Sequence, residues 1–268
     1  MATRRKLINL VDQAVIEQPV NKAFLSDVMR AIEKNDSEGR RKPSQWYKPS
    51  SFVCLRNMYF MRIGETPDPG RTEYTGVGMA DTGTRRHVAI QEVLMKMEGM
   101  GFDWRYLDVE EYLKRKQAEG KCLDIEVKGK MGAETRLFHK VLKMSFMCDG
   151  IIQRISTGEY FLFEFKNQIS FKYSGKQAVD DEHIHQVTAY CESLDLEKVF
   201  VLYENRDCCE LEVPEVLEVT KKMKQELVVD KIMTCESYVE RLIPPPKHTD
   251  KKPCRWCSYQ TACEKAGN

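Results

Sequence analysis

The sequence has no apolar run near the ~20 residues that span a bilayer, which sets aside a helical membrane protein. It has no excess charge either: 42 Lys and Arg against 41 Asp and Glu leave a net charge of +1. A strongly basic chain would point to nucleic acid by charge alone. Here any such affinity must come from a local basic groove, for which Arg4, Arg5 and Lys6, then Arg40, Arg41 and Lys42, then Arg85 and Arg86 are candidates. Short basic runs also serve as plain solvated faces. The N-terminus, MATRRKLINLVDQAVIEQ, is basic and then amphipathic but lacks the apolar core of a secretory signal, so the expected location is cytoplasmic. Internal repeats and low-complexity segments are lacking too.

What remains is the profile of an ordinary soluble protein, long enough at 268 residues for one large core with an elaborated end. Apolar positions near helical spacing predict helix from the start to about residue 36. Residues 35–51 are polar with two prolines and read as a loop. A helix follows, capped by Ser50 or Ser51. Residues 66–74 form another loop, and residues 76–99 read as a glycine-rich start running into a helix. Residues 136–155 and 159–169 are rich in Phe, Val and Ile around a turn at 156–159, which predicts a β-hairpin. Helix returns over 178–194, strand over 198–205, and a long helix from Pro214 to about Leu242, stopped by three prolines at 244–246. The expected fold class is α/β: a mixed central sheet flanked by helices, with a helical N-terminal part and a cysteine-bearing tail.

The predicted hairpin carries the chemistry. Glu164 and Lys166 are two apart and share one strand face, while Phe161, Phe163 and Phe165 point to the other. With the turn at 156–159, Asp149 lies opposite Lys166, and Glu164 is its diagonal neighbour. Two carboxylates on adjacent strands offer the hard oxygen ligands that magnesium or manganese takes, and a lysine beside them can stabilise developing negative charge. Gly150, next to Asp149, allows backbone or substrate to approach closely. The competing reading is a cross-strand ion-pair ladder on a solvated sheet face.

Ten cysteines are many for a reducing compartment, where disulfides are rare. Cys122, Cys148, Cys191, Cys208, Cys209 and Cys235 are scattered through predicted elements and read as apolar fillers. Cys254, Cys257 and Cys263 are bunched in a tail that also holds Pro253 and Trp256. Thiolate sites for zinc or an iron–sulfur cluster usually need four ligands, and Cys54 is the natural remote fourth. Zinc, a cluster and no metal all stay open on the residues alone. Cys54 and Cys254 are 200 positions apart. By analogy with disulfides, closing so long a loop removes unfolded-state entropy worth on the order of several kcal/mol.

Asp149 followed by Glu164-Phe165-Lys166 resembles the core motif of the PD-(D/E)XK nucleases, with Cys148 where that motif often has proline. His87 in the context GTRRH upstream, and Gln186 with Tyr190 on the following helix, narrow the resemblance to the RecB-type branch. The segment around Cys54 and the three tail cysteines resemble the iron–sulfur members of that branch, among them CRISPR-associated spacer-trimming and phage RecB-like enzymes. The resemblance covers about residues 51–263 and implies a restriction-endonuclease-like core over 51–268, with residues 1–50 as an N-terminal helical extension. That extension would serve as a DNA cap, an oligomer contact or a partner arm. The resemblance further implies a Mg2+- or Mn2+-dependent deoxyribonuclease, an exonuclease on single strands or ends. His87, Asp149 and Glu164 would hold the ion, and Cys54, Cys254, Cys257 and Cys263 a 4Fe-4S cluster. Gln186 and Tyr190 would contact DNA or hold the lysine and metal in place, with Arg85 and Arg86 as further DNA contacts. His183 and His185 read as ordinary polar positions, and Glu182 as an accessory acid. Expected partners are DNA and either a second copy of the chain or a recombination, CRISPR or phage protein. The other functional reading is a non-catalytic DNA-binding or recombination-partner protein that keeps fold and cluster, and a zinc-stapled interaction protein is a third.

Overall fold

A computed structural model describes residues 20–36, 43–68, 74–131, 134–173, 178–250, 254 and 257–267. The expectations for Arg4, Arg5, Lys6, Arg40, Arg41, Lys42, Pro253 and Trp256 lie outside the described residues, as does the start of the predicted first helix. The chain divides into two compact units, Met1–Arg40 with Arg71–Ala80 and Arg41–Gly70 with Asp81–Asn268. In the first, helix α1 covers Val20–Asp36. No described helix is long and apolar enough to cross a membrane.

The second unit holds two sheets. The larger runs in the order β1 (Trp104–Leu107), β5 (Gly150–Arg154), β6 (Tyr160–Gln168), β7 (Lys198–Asn205) and β8 (Leu211–Glu212), with β9 (Leu217–Glu218) also paired to β7. The pair β6–β7 is parallel and the others are antiparallel. The smaller sheet is an antiparallel meander of β2 (Ile125–Met131), β3 (Glu134–His139) and β4 (Met144–Cys148). The helices are α2 (Leu55–Arg62), α3 (Tyr74–Leu94), α4 (Val109–Ala118), α5 (Ser170–Tyr173), α6 (Asp181–Leu194), α7 (Lys221–Lys224), α8 (Asp230–Arg241) and α9 (Gln260–Lys265). The fold is thus α/β with a mixed central sheet flanked by helices, as the sequence predicts.

β6 is buried on both faces, as a strand paired on both edges and covered by helices must be. Phe161, Phe163 and Phe165 pack with Ile152 on one side, against Trp104, Phe200 and Leu202. Leu162 faces the main core with Ile151, Val187 and Val199. Each buried aromatic contributes roughly 1.5–3 kcal/mol. Because β6 and β7 are parallel, their connection must cross over one face, and α6 is that crossover.

Three elements differ from the sequence reading. Residues 136–155 are not one hairpin arm. The chain turns at 140–143, pairs as β4 in the smaller sheet, breaks at Asp149 and re-enters the larger sheet as β5. The helix expected from Ser51 begins at Leu55, with Cys54 at its N-cap. Pro49–Ser51 instead close a short 3-10 turn in which the Ser51 hydroxyl donates to Lys48 O at 2.6 Å. The helix expected from Pro214 starts at Lys221. Residues 217–218 are drawn onto β7 first, and Thr220 Oγ1 then caps α7 by accepting from Met223 N–H.

Candidate functional site

The register of β5 on β6 sets the site. Gly150 faces Phe163, so Asp149 comes level with Glu164 rather than Lys166. The reason lies in the turn, where Gly158 takes a left-handed φ of +74° and Arg154 N–H already bonds Glu159 O. Asp149 Oδ2 accepts the Phe165 amide at 2.6 Å, which ties it to the β6 backbone. Its main-chain carbonyl accepts from Gln91 Nε2 and from the Tyr106 hydroxyl, each at 2.7 Å. The space beside Gly150 is filled by the Tyr106 ring: a Cβ there would meet Tyr106 Cε2 at 2.3 Å. The close approach anticipated at this glycine is therefore made by Tyr106.

Asp149 and Glu164 are 5% and 4% exposed, which rules out the solvated ion-pair ladder. Glu164 Oε1 accepts from Lys166 Nζ at 2.8 Å and Gln186 Nε2 at 3.0 Å. Lys166 also donates to Gln186 Oε1 at 3.0 Å, and Gln186 Nε2 reaches the Tyr190 hydroxyl at 2.7 Å. Gln186 and Tyr190, one helical turn apart on α6, therefore brace the lysine. Tyr190 is 4% exposed and stacked on Phe146, so it presents no surface to DNA. Burial, reinforced by the Asp149 charge and opposed by Lys166, pushes the Glu164 carboxyl up to about 7.

His87 comes from α3. Its Nδ1 lies 3.1 Å from Asp149 Oδ1, and its ring meets Phe165 edge-on. Burial works against the charged imidazole, but the Asp149 hydrogen bond and charge outweigh it and hold the ring above its ordinary value. Arg86, the residue before it, grips the buried Glu204 with both arms, Nε–Oε2 at 3.0 Å and Nη2–Oε1 at 2.5 Å. Its guanidinium is thus committed within the protein and anchors α3 beside the sheet. Arg85 is exposed and, among the described residues, pairs with Asp81 one turn away.

The sequence reading missed Glu134. Ligand atoms of His87, Glu134 and Asp149 all lie within 4.8 Å of one another, a group able to hold a metal ion. Burial and the Asp149 charge raise the Glu134 carboxyl. Nothing in the sequence marks it, since an acid opening a strand is an ordinary surface residue. Only the pairing of β3 with β4, which sets Thr135 opposite Cys148, carries it to Asp149. Glu164 falls outside this trio, but its Oε2 is buried and accepts no hydrogen bond, an acceptor that such an environment rarely leaves idle. Imidazole with carboxylate oxygens is a donor set that suits a hard divalent cation.

A second trio, Asp180, Glu182 and His183, meets the same distance condition at the start of α6. There His183 Nδ1 is 2.8 Å from the Tyr203 hydroxyl. His185 is pushed down to about 4 by burial and the Lys231 charge, and its Nδ1 lies 3.4 Å from Lys231 Nζ.

Of the ten cysteines, none forms a disulfide. Cys148, Cys191 and Cys235 are core fillers as expected. Cys122 is half-buried, whereas Cys208 and Cys209 are exposed in the turn after β7 and fill nothing. Cys54 and Cys257 border one cavity of about 270 Å3 together with Cys254, Asn57, His183 and Gln186. Burial raises the Cys54 thiol, the Asn57 and Arg56 amides at the start of α2 lower it, and Cys254 and Cys263 raise it again. Cys54 and Cys254 likewise act on Cys257. Among the described residues, however, no three of these four thiols come within 4.8 Å of each other.

No family model matches the chain, and no curated protein matches it. Among solved structures it is similar to the crystal structure of SSO0001, at 14% identity and a TM-score of 0.45, over 94% of this chain and 100% of that one.

Proposed function

We propose that the chain is a metal-dependent deoxyribonuclease of the PD-(D/E)XK type, in the RecB-like iron–sulfur branch, acting on single-stranded DNA or DNA ends. The observation that carries this reading is the buried Glu164 carboxylate, fixed by Lys166 and Gln186 through one oxygen and unbonded at the other, level with Asp149. Asp149, His87, Glu134 and Glu164 would hold Mg2+ or Mn2+, which when bound supplies an activated water and neutralises charge on the scissile phosphate. Lys166, oriented by Gln186 and Tyr190, offers its ammonium to the negative charge that develops on the phosphate oxygens. Asp149 is kept rigid by the Phe165, Gln91 and Tyr106 bonds, so it need not reorganise during the reaction. Arg85, exposed on α3, is a candidate contact to the DNA backbone.

Cys54, Cys254, Cys257 and Cys263 would hold a 4Fe-4S cluster. A single zinc, with Zn–S near 2.3 Å, draws thiolates to within about 4 Å of one another. The cavity of about 270 Å3 bordered by Cys54, Cys254 and Cys257 leaves room for a larger group.

The test is cleavage of end-labelled single- and double-stranded DNA by anaerobically purified protein, with magnesium, manganese or chelator, beside the Asp149→Ala variant. Cleavage that needs the metal and vanishes in the variant is expected. Tight DNA binding without cleavage under any condition would replace this reading with a non-catalytic DNA-binding protein.

A further inference from the structure

Two cations are bonded to the segments that carry Cys54 and Cys263, outside the lining of the cavity itself, which includes the Glu182 carboxylate. Arg56, on the first turn of α2, is 2% exposed. Its guanidinium donates to three main-chain carbonyls, those of Pro245 at 3.1 Å, Cys263 at 3.2 Å and Gly267 at 2.6 Å. No acid among the described residues pairs with it, and its Nε is left without a partner. Lys231, on α8, donates to Phe52 O at 2.7 Å, and the Cys54 sulfur is among the charges that act on it. It too has no carboxylate partner among the described residues. A buried cation that lacks a counter-ion is costly. Arg56 is buried and Lys231 half-buried, and each is bonded to a segment that carries one of the cysteines.

Neutral donors point the same way. Asn57 Nδ2 and the Tyr259 amide each lie 3.4 Å from Cys257 Sγ. The Asn57 carbonyl oxygen is buried and unbonded, so the side chain is held with its donor end towards sulfur. Hydrogen bonds to cluster sulfurs and nearby charge are among the means by which a protein sets a reduction potential.

We propose that Lys231 and Arg56, held on the segments around the cysteines, are the counter-charges, and Asn57 the sulfur donor, for an anionic thiolate-bound cluster, and that they raise its reduction potential. The inference rests on the cluster reading above. One-electron reduction adds a negative charge to the cluster, and a fixed cation beside it stabilises the reduced form more than the oxidised form. Arg56 also ties α2 to the tail, so the discriminating variants are made at the other two positions.

The experiment is anaerobic reconstitution with iron and sulfide, followed by a dithionite titration monitored by EPR on wild type, Lys231→Gln, Lys231→Arg and Asn57→Leu. Iron and acid-labile sulfide are counted in each. In Lys231→Gln, at unchanged cluster content, the equilibrium should move about tenfold towards the oxidised form, a 59 mV fall for one electron. Asn57→Leu should move it the same way by less, and Lys231→Arg should restore it. A fully loaded Lys231→Gln protein with the wild-type potential would overturn the counter-charge role alone. Failure of the wild type to take up iron and sulfide would instead remove the cluster reading and this inference with it.

Discussion

Around Asp149 and Glu164, groups from α3, β1, β6 and α6 are already hydrogen-bonded to the two acids or to Lys166. Around Cys54 the thiols come from the start of α2 and from a tail 200 positions away, joined by the carbonyl bonds of Arg56 and a few donors to sulfur. The first centre is preorganised by the sheet and needs a ligand only for chemistry. The second brings distant segments together and, on the proposed reading, would depend on its ligand for closure. On that reading side-chain polarity plays two parts in one molecule, rigidity in the first centre and counter-charge in the second.

The largest effect that would test this contrast is on stability. If the four cysteines hold the proposed cluster, Cys257→Ala or removal of that cluster should cost about 5 kcal/mol, the scale of cross-linking so long a loop. The denaturation midpoint should drop while Mn2+ affinity of the folded fraction holds. An unmoved midpoint would erase the distinction between the centres. Next comes Lys166→Ala, expected to lower cleavage about 10²–10³-fold, as losing one transition-state donor does, with the circular dichroism spectrum retained. Full activity in a folded variant would show that the lysine is only structural. Gly150→Ala, which drives a methyl into the Tyr106 ring at a φ of +156°, should cost roughly 2–3 kcal/mol. It should weaken Mn2+ binding as Asp149 shifts, whereas the cysteine centre should keep its metal content.

The smallest effect is acidic. The folded-state pKa of His185, about 4, lies below its unfolded value near 6.5. The unfolded chain therefore binds the proton first, and stability falls as pH drops from about 6.5 towards 4. The ring is only half-buried, so after solvent screening the loss is about 1 kcal/mol. His185→Gln should flatten that part of the stability–pH curve. A slope equal to wild type would assign the acid sensitivity to another group.

Much of the carboxylate centre was legible in the sequence because it is local. Glu164 and Lys166 sit two apart on a strand whose alternate residues are Phe, and Gln186 and Tyr190 sit four apart on a helix. The illegible part is tertiary. Glu134 reaches the site through a sheet whose strands are joined by ordinary turns. The register of Asp149 hinged on where one glycine turned the chain, and Arg86, a basic residue beside His87, proved to belong to Glu204 on β7. Strand β1 and helix α4 carry weak patterns of their own, and pairing with β5 is what makes Trp104–Leu107 a strand. At Cys54 the sequence suggested a serine cap three or four residues early, because Ser50 and Ser51 have the right chemistry and only the turn at Pro49 diverts them.

The parallel pairing of β6 with β7 also fixes when the centre can exist. A parallel ladder gains nothing until its crossover has closed, so such contacts form late. On the ribosome, Asp149, Glu164 and Lys166 emerge before α6 and β7. Gln186 cannot brace the lysine until the crossover is made, and β6 keeps an open edge until Asn205 is free of the exit tunnel. The carboxylate centre is therefore incomplete on the nascent chain until its sheet is complete.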